Sequence, residues 1–287
     1  MKLLVKLKCW KLKNKGDEMN AIKCKTILTK SKLPNVDYCY NAYVGCTHSC
    51  KYCYATFMKR FTGHGNEQWG SFIDYKENAI DVLQKEVKRI ERDKWVLMGS
   101  VTDSYQPIEK KLLLTRKSLE IFLSNQIPIS ILTKSDLIVR DIDILSRFDK
   151  CEVGISYSFT DEKIASVLEP NASSLYKRVS ALKQLKQAGI KTYIFIGPII
   201  PQLTKLKDIF NIAGQYADFI MAEALNLRCG NLNALKIIIE ELAGEENGSE
   251  IIGLCKNKDY WTSIENEYKE LCKDFGIENR GLFVHTS

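Results

Sequence analysis

Short β-rich runs alternating with longer helical ones predict an α/β fold on a parallel sheet. Three observations in the 287-residue sequence predict it: the alternation itself, a helix-terminating glycine, and polar residues gathered just behind the strands. The candidate strands are 38–44, 95–100, 129–133, 152–158, 192–199 and 218–225, each rich in β-branched or aromatic residues. Between them, 78–93, 112–125, 140–148, 174–188 and 205–216 carry apolar residues at helical spacing. Gly189 follows the fourth of these, where a left-handed C-terminal cap belongs. Right-handed crossovers can build either a doubly wound sheet or a barrel, and periodicity does not choose between them. The polar residues favour a barrel. Cysteines follow the first strand, Thr102 and Asp103 the second, and Lys134 the third, and a βα barrel carries its chemistry on that C-terminal rim. The expected architecture is a partial (β/α)6 TIM-like barrel. A small C-terminal helical extension (235–244 and 260–275, then a short strand at 282–284) would pack against the open side. In domain terms, 1–20 reads as a basic tail, 21–228 as the barrel and 229–287 as the extension.

Composition places the chain among ordinary globular proteins, with 45% hydrophobic and 27% charged residues. The net charge of +7 needs to be located before it is interpreted. Residues 1–32 hold ten lysines against Asp17 and Glu18, whereas the rest of the chain carries 32 basic and 33 acidic side chains. The body is therefore near neutral, and Lys85, Lys88, Arg89 and Arg92 on one predicted helix read as a solvated face. A nucleic-acid partner is not favoured by this distribution. No apolar run is long enough for a membrane span, and the opening MKLLVKLKCWKLKNK builds no secretory core. Met19 opens MNAIKCKTILTKS, which reads as a natural start, making 1–18 an upstream extension. Of ten cysteines, seven are scattered and three clustered, which reads as free thiols in a reducing cytoplasm.

Cys46, Cys50 and Cys53 have the spacing C-x3-C-x2-C. Three thiolates on one loop can hold three irons of a [4Fe–4S] cluster. With no fourth cysteine nearby, one iron is left open, as catalytic metal sites keep a position open. A small molecule with an amine and a carboxylate suits that position. Zinc would need a fourth ligand, and His48 is the only local one, since the other histidines are His64 and His285. The rival reading is a non-catalytic iron–sulfur or zinc protein that senses redox state or binds a partner.

With Tyr52 before the last cysteine, the motif resembles the signature of the radical S-adenosylmethionine (SAM) superfamily. The stretches NAYVGCTHSCKYCYA (41–55), GSVTDSYQPIEKKLLLTRKSLEI (99–121), ILTKSDLIVRDIDIL (131–145), GISYSFTDEKIASVLEPNASS (154–174) and GPIIPQLT (197–204) are similar to its spore photoproduct lyase-like, or DNA repair photolyase-like, branch. The resemblance implies a radical SAM barrel, a cluster on Cys46, Cys50 and Cys53, and reductive cleavage of SAM to a 5′-deoxyadenosyl radical that takes hydrogen from a substrate. It implies a reductant such as flavodoxin or ferredoxin. Carried over, Tyr52 lies near the adenine; Ser100, Thr102 and Asp103 face the SAM amino group or the substrate; Lys134 meets the SAM carboxylate. Ser156 or Ser158 contacts SAM, Gly197 admits the nucleoside closely, and Asn226 is a weaker candidate. One departure stands out. The lyase uses a cysteine after the second strand as hydrogen donor, and Gly99–Asp103 holds none. Repair of that same lesion is therefore not expected.

Overall fold

The computed structural model describes residues 19–228 and 232–285. Residues 1–18 of the tail expected over 1–20, with Cys9, lie outside the described residues, as does Cys229, while Met19 and Asn20 belong to the first strand.

The chain opens with β1 (Met19–Ile22), β2 (Leu28–Lys30), β3 (Tyr38–Tyr40), β4 (Tyr43–Val44) and β5 (Ile73–Lys76). The repeating part follows: α1 (Ala79–Glu86), β6 (Val96–Met98), α2 (Glu109–Leu112), α3 (Leu114–Ser124), β7 (Ile129–Thr133), α4 (Ile142–Leu145) and β8 (Cys151–Ser156). Then come α5 (Glu162–Leu168), α6 (Leu175–Gln187), β9 (Lys191–Ile199), α7 (Leu206–Ala213) and β10 (Phe219–Ala224). The chain closes with α8 (Leu232–Ala243), α9 (Glu245–Leu254), α10 (Lys258–Asp274) and β11 (Glu278–Phe283).

The main sheet has eight strands in the order β2-β3-β6-β7-β8-β9-β10-β11. Only β2 is antiparallel to its neighbour; the other pairings are parallel. A doubly wound sheet reverses its strand order partway along. This one never does, so it winds in one direction as a barrel does. No pairing joins β2 to β11 among the described residues. The barrel is therefore partial, as the sequence predicts. β11 enters the sheet beside β10, so the last segment supplies a seventh parallel strand.

Strand alternation separates two environments. Val96, Met98, Ile129, Ile131, Val153, Ile155, Ile194, Ile196 and Ile220 belong to the main hydrophobic core that the strands share with the helices. The opposite face looks into the lumen, whose lower end is filled by Tyr193 stacked on Phe219 at 4.7 Å. Arg280 lies over the Phe219 ring and reaches Glu152 at 2.9 Å. Gly154 has to be a glycine, because a Cβ there would meet the Tyr193 ring at 2.1 Å.

The expected strand at 38–44 is two strands in two sheets. The chain leaves the main sheet after β3, and β4 joins β5 and β1 in a small second sheet. The expected helix over 112–125 is likewise interrupted, by Leu113 in the left-handed region at φ 56°. Gly189, at φ +76°, ends α6 as expected.

Candidate active site

Cys46, Cys50 and Cys53 lie on the loop after β4; none of the three forms a disulfide, and all are partly buried. Gly45 turns into the loop at φ +85°, and its missing Cβ leaves room for the Phe72 carbonyl and ring. Ser49 takes φ 56°, an unusual conformation for a residue with a side chain. Facing it is Gly70 at φ +94°, where a Cβ would come within 2.4 Å of the Ser49 Cβ. The 69–72 segment thus lies directly on the loop, and Ser49 Oγ donates to the Trp69 carbonyl at 3.3 Å. Burial, Asp103 and the two neighbouring cysteines push the Cys46 thiol up. Cys50 is pushed up to about 12, chiefly by burial. Raised in this way, both thiols favour the protonated form, so binding a metal as thiolates would release their protons.

Three elements fix the loop from outside. After β6, the Thr102 hydroxyl donates to the Gly45 carbonyl, while the Gln106 side-chain oxygen accepts from both Thr47 N and Thr47 Oγ1. Asp103 lies beside His48, 3.3 Å from Nδ1, and accepts from Tyr105 N, Thr133 Oγ1 and Lys134 N at 2.7–2.9 Å. Burial alone would raise its pKa. The His48 charge and hydrogen bond, with the Lys134 and Thr133 donors, outweigh burial and hold it at about 2. After α5, the Leu168 carbonyl accepts from Lys51 N and the Asn171 side chain donates to the Thr47 carbonyl.

Tyr52 is buried, and its hydroxyl donates to Glu169. Glu169 in turn pairs with Arg178 at 2.5 Å, both side chains almost fully closed to water. The Arg178 guanidinium also donates to the Ser173 and Ser156 carbonyls, tying α6 to the end of β8. Lys134 stands over the Tyr52 ring at 5.6 Å and 3.9 Å from Glu169. A cation is therefore held near the second cysteine, whose pKa it acts to lower against burial.

The remaining expected residues are less uniformly placed. Ser156 and Ser158 are buried, and neither hydroxyl has a hydrogen-bond partner. Ser100 is partly buried and accepts from the Asn41 side chain at 3.0 Å. Gly197 is covered by the Phe195 ring, which an added Cβ would meet at 2.0 Å. Asn226 is engaged in a local turn, accepting from Arg228 N at 2.9 Å. Thr102 and Asp103, expected to face a ligand, both spend their polar atoms on bracing the cysteine loop and the end of β7.

A family model described as the radical SAM superfamily matches residues 40–208. The chain belongs to that superfamily. It is 35% identical over 272 residues to an uncharacterised protein of Methanocaldococcus jannaschii, covering 95% of this chain and 100% of the other. It is 27% identical to the radical SAM Nalpha-GlyT isomerase of Pseudomonas phage M6, covering 59% of this chain and 34% of the isomerase. Identity to the spore photoproduct lyase of Clostridium acetobutylicum is 25%, over 58% of this chain and 47% of the lyase. A solved spore photoproduct lyase, complexed with a dinucleoside spore photoproduct, superposes with a TM-score of 0.66. That match covers 94% of this chain and 82% of the other at 15% identity, and it shows the shared fold.

Within the radical SAM frame, the three cysteines fit a cluster better than a lone ion. Among the described residues no three His, Cys, Asp or Glu side chains sit close enough to share one metal ion. Thiolates that each bind a different iron stand farther apart. The unpartnered Ser156 and Ser158 hydroxyls fit a bound nucleoside, because buried polar groups otherwise find protein partners. Sequence reasoning missed Glu169, Arg178, Gln106 and Tyr54, whose hydroxyl donates to the Ser100 carbonyl. It also missed Glu223 on β10, which meets His285 at 2.7 Å, both about one-third exposed. Among the described residues no helix is long and apolar enough to cross a membrane.

Proposed function

We propose that this protein is a radical SAM enzyme that holds one [4Fe–4S] cluster on Cys46, Cys50 and Cys53 and binds SAM against Lys134, Ser156 and Ser158. One observation carries the reading. Three cysteines on one loop without disulfides, a cation beside Tyr52 and Glu169, and two buried hydroxyls without partners support it together. When bound, the cluster and SAM supply an organic radical able to take hydrogen from an unactivated carbon.

The chain's own residues have separable tasks. Lys134 offers its ammonium to a carboxylate, a charge-assisted contact, while Glu169 and Arg178 hold Tyr52 and the end of β8 in register. Ser156 and Ser158 donate to, or accept from, the nucleoside. Gln106 and Thr102 keep the loop backbone from moving as ligands enter. The barrel (21–228) and the last segment (229–287) act together, since Glu223 and His285 come one from each. Gly99–Asp103 lacks a thiol, so the lyase's hydrogen-donor step has no counterpart at that position.

Anaerobic reconstitution with iron and sulfide tests the proposal. The expected result is about four irons per chain, with 5′-deoxyadenosine released once dithionite and SAM are added. Cys50→Ala should lose both. One zinc per chain, or cluster without SAM cleavage, would favour the sensor reading instead.

A further inference from the structure

Trp69 is 8% exposed, yet its indole N–H has no hydrogen-bond partner among the described residues. Such a group is uncommon, because a buried donor left unpaired forfeits the hydrogen bond that water gave it. The indole sits with Ala55 and Phe72 in a small apolar cluster separate from the main core. Val44, Cys46, Cys53, Met58 and Val101 pack against that cluster, so two cysteines of the loop form part of its wall. Ring and backbone are both fixed there. Phe72 meets the indole edge to face at 5.8 Å, and Ser49 Oγ donates to the Trp69 carbonyl.

A second donor on this flank is in the same condition. Thr56 Oγ1, three positions beyond Cys53, is buried and lacks a partner. The shortage of acceptors therefore belongs to this side of the cysteine loop and not to one side chain. A trapped water answers it poorly, since a buried water needs two to four polar partners and the cluster wall is apolar apart from its thiols. An indole nitrogen is a donor only, so another donor cannot satisfy it. Sulfur is the acceptor these surroundings offer.

We propose that the Trp69 indole N–H donates a hydrogen bond to a sulfur of the cluster on Cys46, Cys50 and Cys53 and so sets how readily that cluster is reduced. This rests on the cluster reading above. Hydrogen bonds to the sulfurs are among the levers that fix iron–sulfur potentials, beside net charge and solvent exposure. An added electron makes the sulfurs more negative, so a donor beside them stabilises the reduced form more than the oxidised one. The proton stays on the indole throughout, and no bond is made or broken in the ring.

Redox titration of the full chain, reconstituted anaerobically and followed by electron paramagnetic resonance, tests this. Trp69→Phe keeps an aromatic ring and loses the N–H. Its cluster should be harder to reduce, with the one-electron equilibrium displaced about tenfold, or about 59 mV, toward the oxidised form. A benzothiophene analogue of tryptophan at position 69 keeps the bicyclic shape and puts sulfur in place of the N–H. It should show the same displacement, whereas a role in packing alone would leave it at the wild-type potential. Trp95→Phe, just before β6, should titrate as wild type. With the indole nitrogens isotopically labelled, the reduced wild type should show a nitrogen coupling that Trp69→Phe lacks. Should Trp69→Phe bind fewer irons than wild type, the benzothiophene variant decides alone. A wild-type potential in that variant, or no nitrogen coupling in the wild type, overturns the proposal. A wild type that takes up no iron brings down the cluster reading itself, and this proposal with it.

Discussion

Asp103 joins the cysteine loop, through His48, to the end of β7, through Thr133 and Lys134. Its pKa, held at about 2, makes that joint pH-dependent. A carboxyl depressed in the folded state stabilises fully above its unfolded value and loses that contribution as pH falls through the folded one. From an ordinary value near 3.8 down to about 2, the shift corresponds to about 2 kcal/mol. Asp103→Asn should therefore be less stable than wild type by roughly that amount at neutral pH, with the gap narrowing steadily below about pH 4. Urea unfolding of both proteins across that range measures it; a constant gap would refute the assignment. At this scale the sequence was partly legible. Cysteines and a lysine behind a strand advertise chemistry by type and spacing alone. Glu169 and Arg178 do not, because their importance lies in partnership: Glu169 meets Tyr52 across 117 positions, and nothing local marks either residue.

The cysteine loop depends on the segment lying on it. Gly70→Ala puts a methyl group within 2.4 Å of the Ser49 Cβ at a φ of +94°. Both the clash and the backbone strain belong to this one substitution, and together they should cost about 1–3 kcal/mol. The loss should appear as fewer irons bound per chain, with the helical circular dichroism nearly unchanged, because α1 to α10 lie elsewhere. Equal iron content would refute it. Element legibility followed length. α6 and α10, with 13 and 17 residues, carry several turns of apolar periodicity and were anticipated closely. The small sheet was not. β4 has two residues, and β1 finds β5 about fifty positions later, so no local pattern exists for either. The break after β3 was also hidden, since 38–44 reads as one continuous apolar-aromatic run and the Asn41 contacts that turn it come from Ser100 and Val101.

At the level of the whole molecule, an open sheet must secure its last strand. β11 borders the gap, and Arg280 holds it by reaching across the lumen to Glu152 while resting on Phe219. Arg280→Ala removes the bridge but leaves Glu152 with Lys191 at 3.2 Å, so no buried charge is abandoned. The expected cost is about 1–2 kcal/mol, concentrated in faster amide exchange along β11, with β7 and β8 protected as before. Uniformly faster exchange would argue against a local latch. The direction of winding was legible from strand–helix alternation and rim polarity; of the seventh parallel strand only the end was, as the short strand expected at 282–284, because 278–281 is polar and lacks a strand pattern.

The unreversed strand order also bears on how the protein is made. Within the main sheet each parallel strand pairs with the member synthesised before it, so the sheet can be extended unit by unit as the chain leaves the ribosome. The cysteine loop keeps a different schedule. It emerges early, yet its supports arrive with Asp103, Lys134, Glu169 and finally Arg178. Until about 178 residues have emerged, three thiols wait on a loop without its braces. Iron delivered in that interval would meet an unfinished site, so the proposed cluster would be inserted after synthesis of the first five strands of the main sheet and of α6.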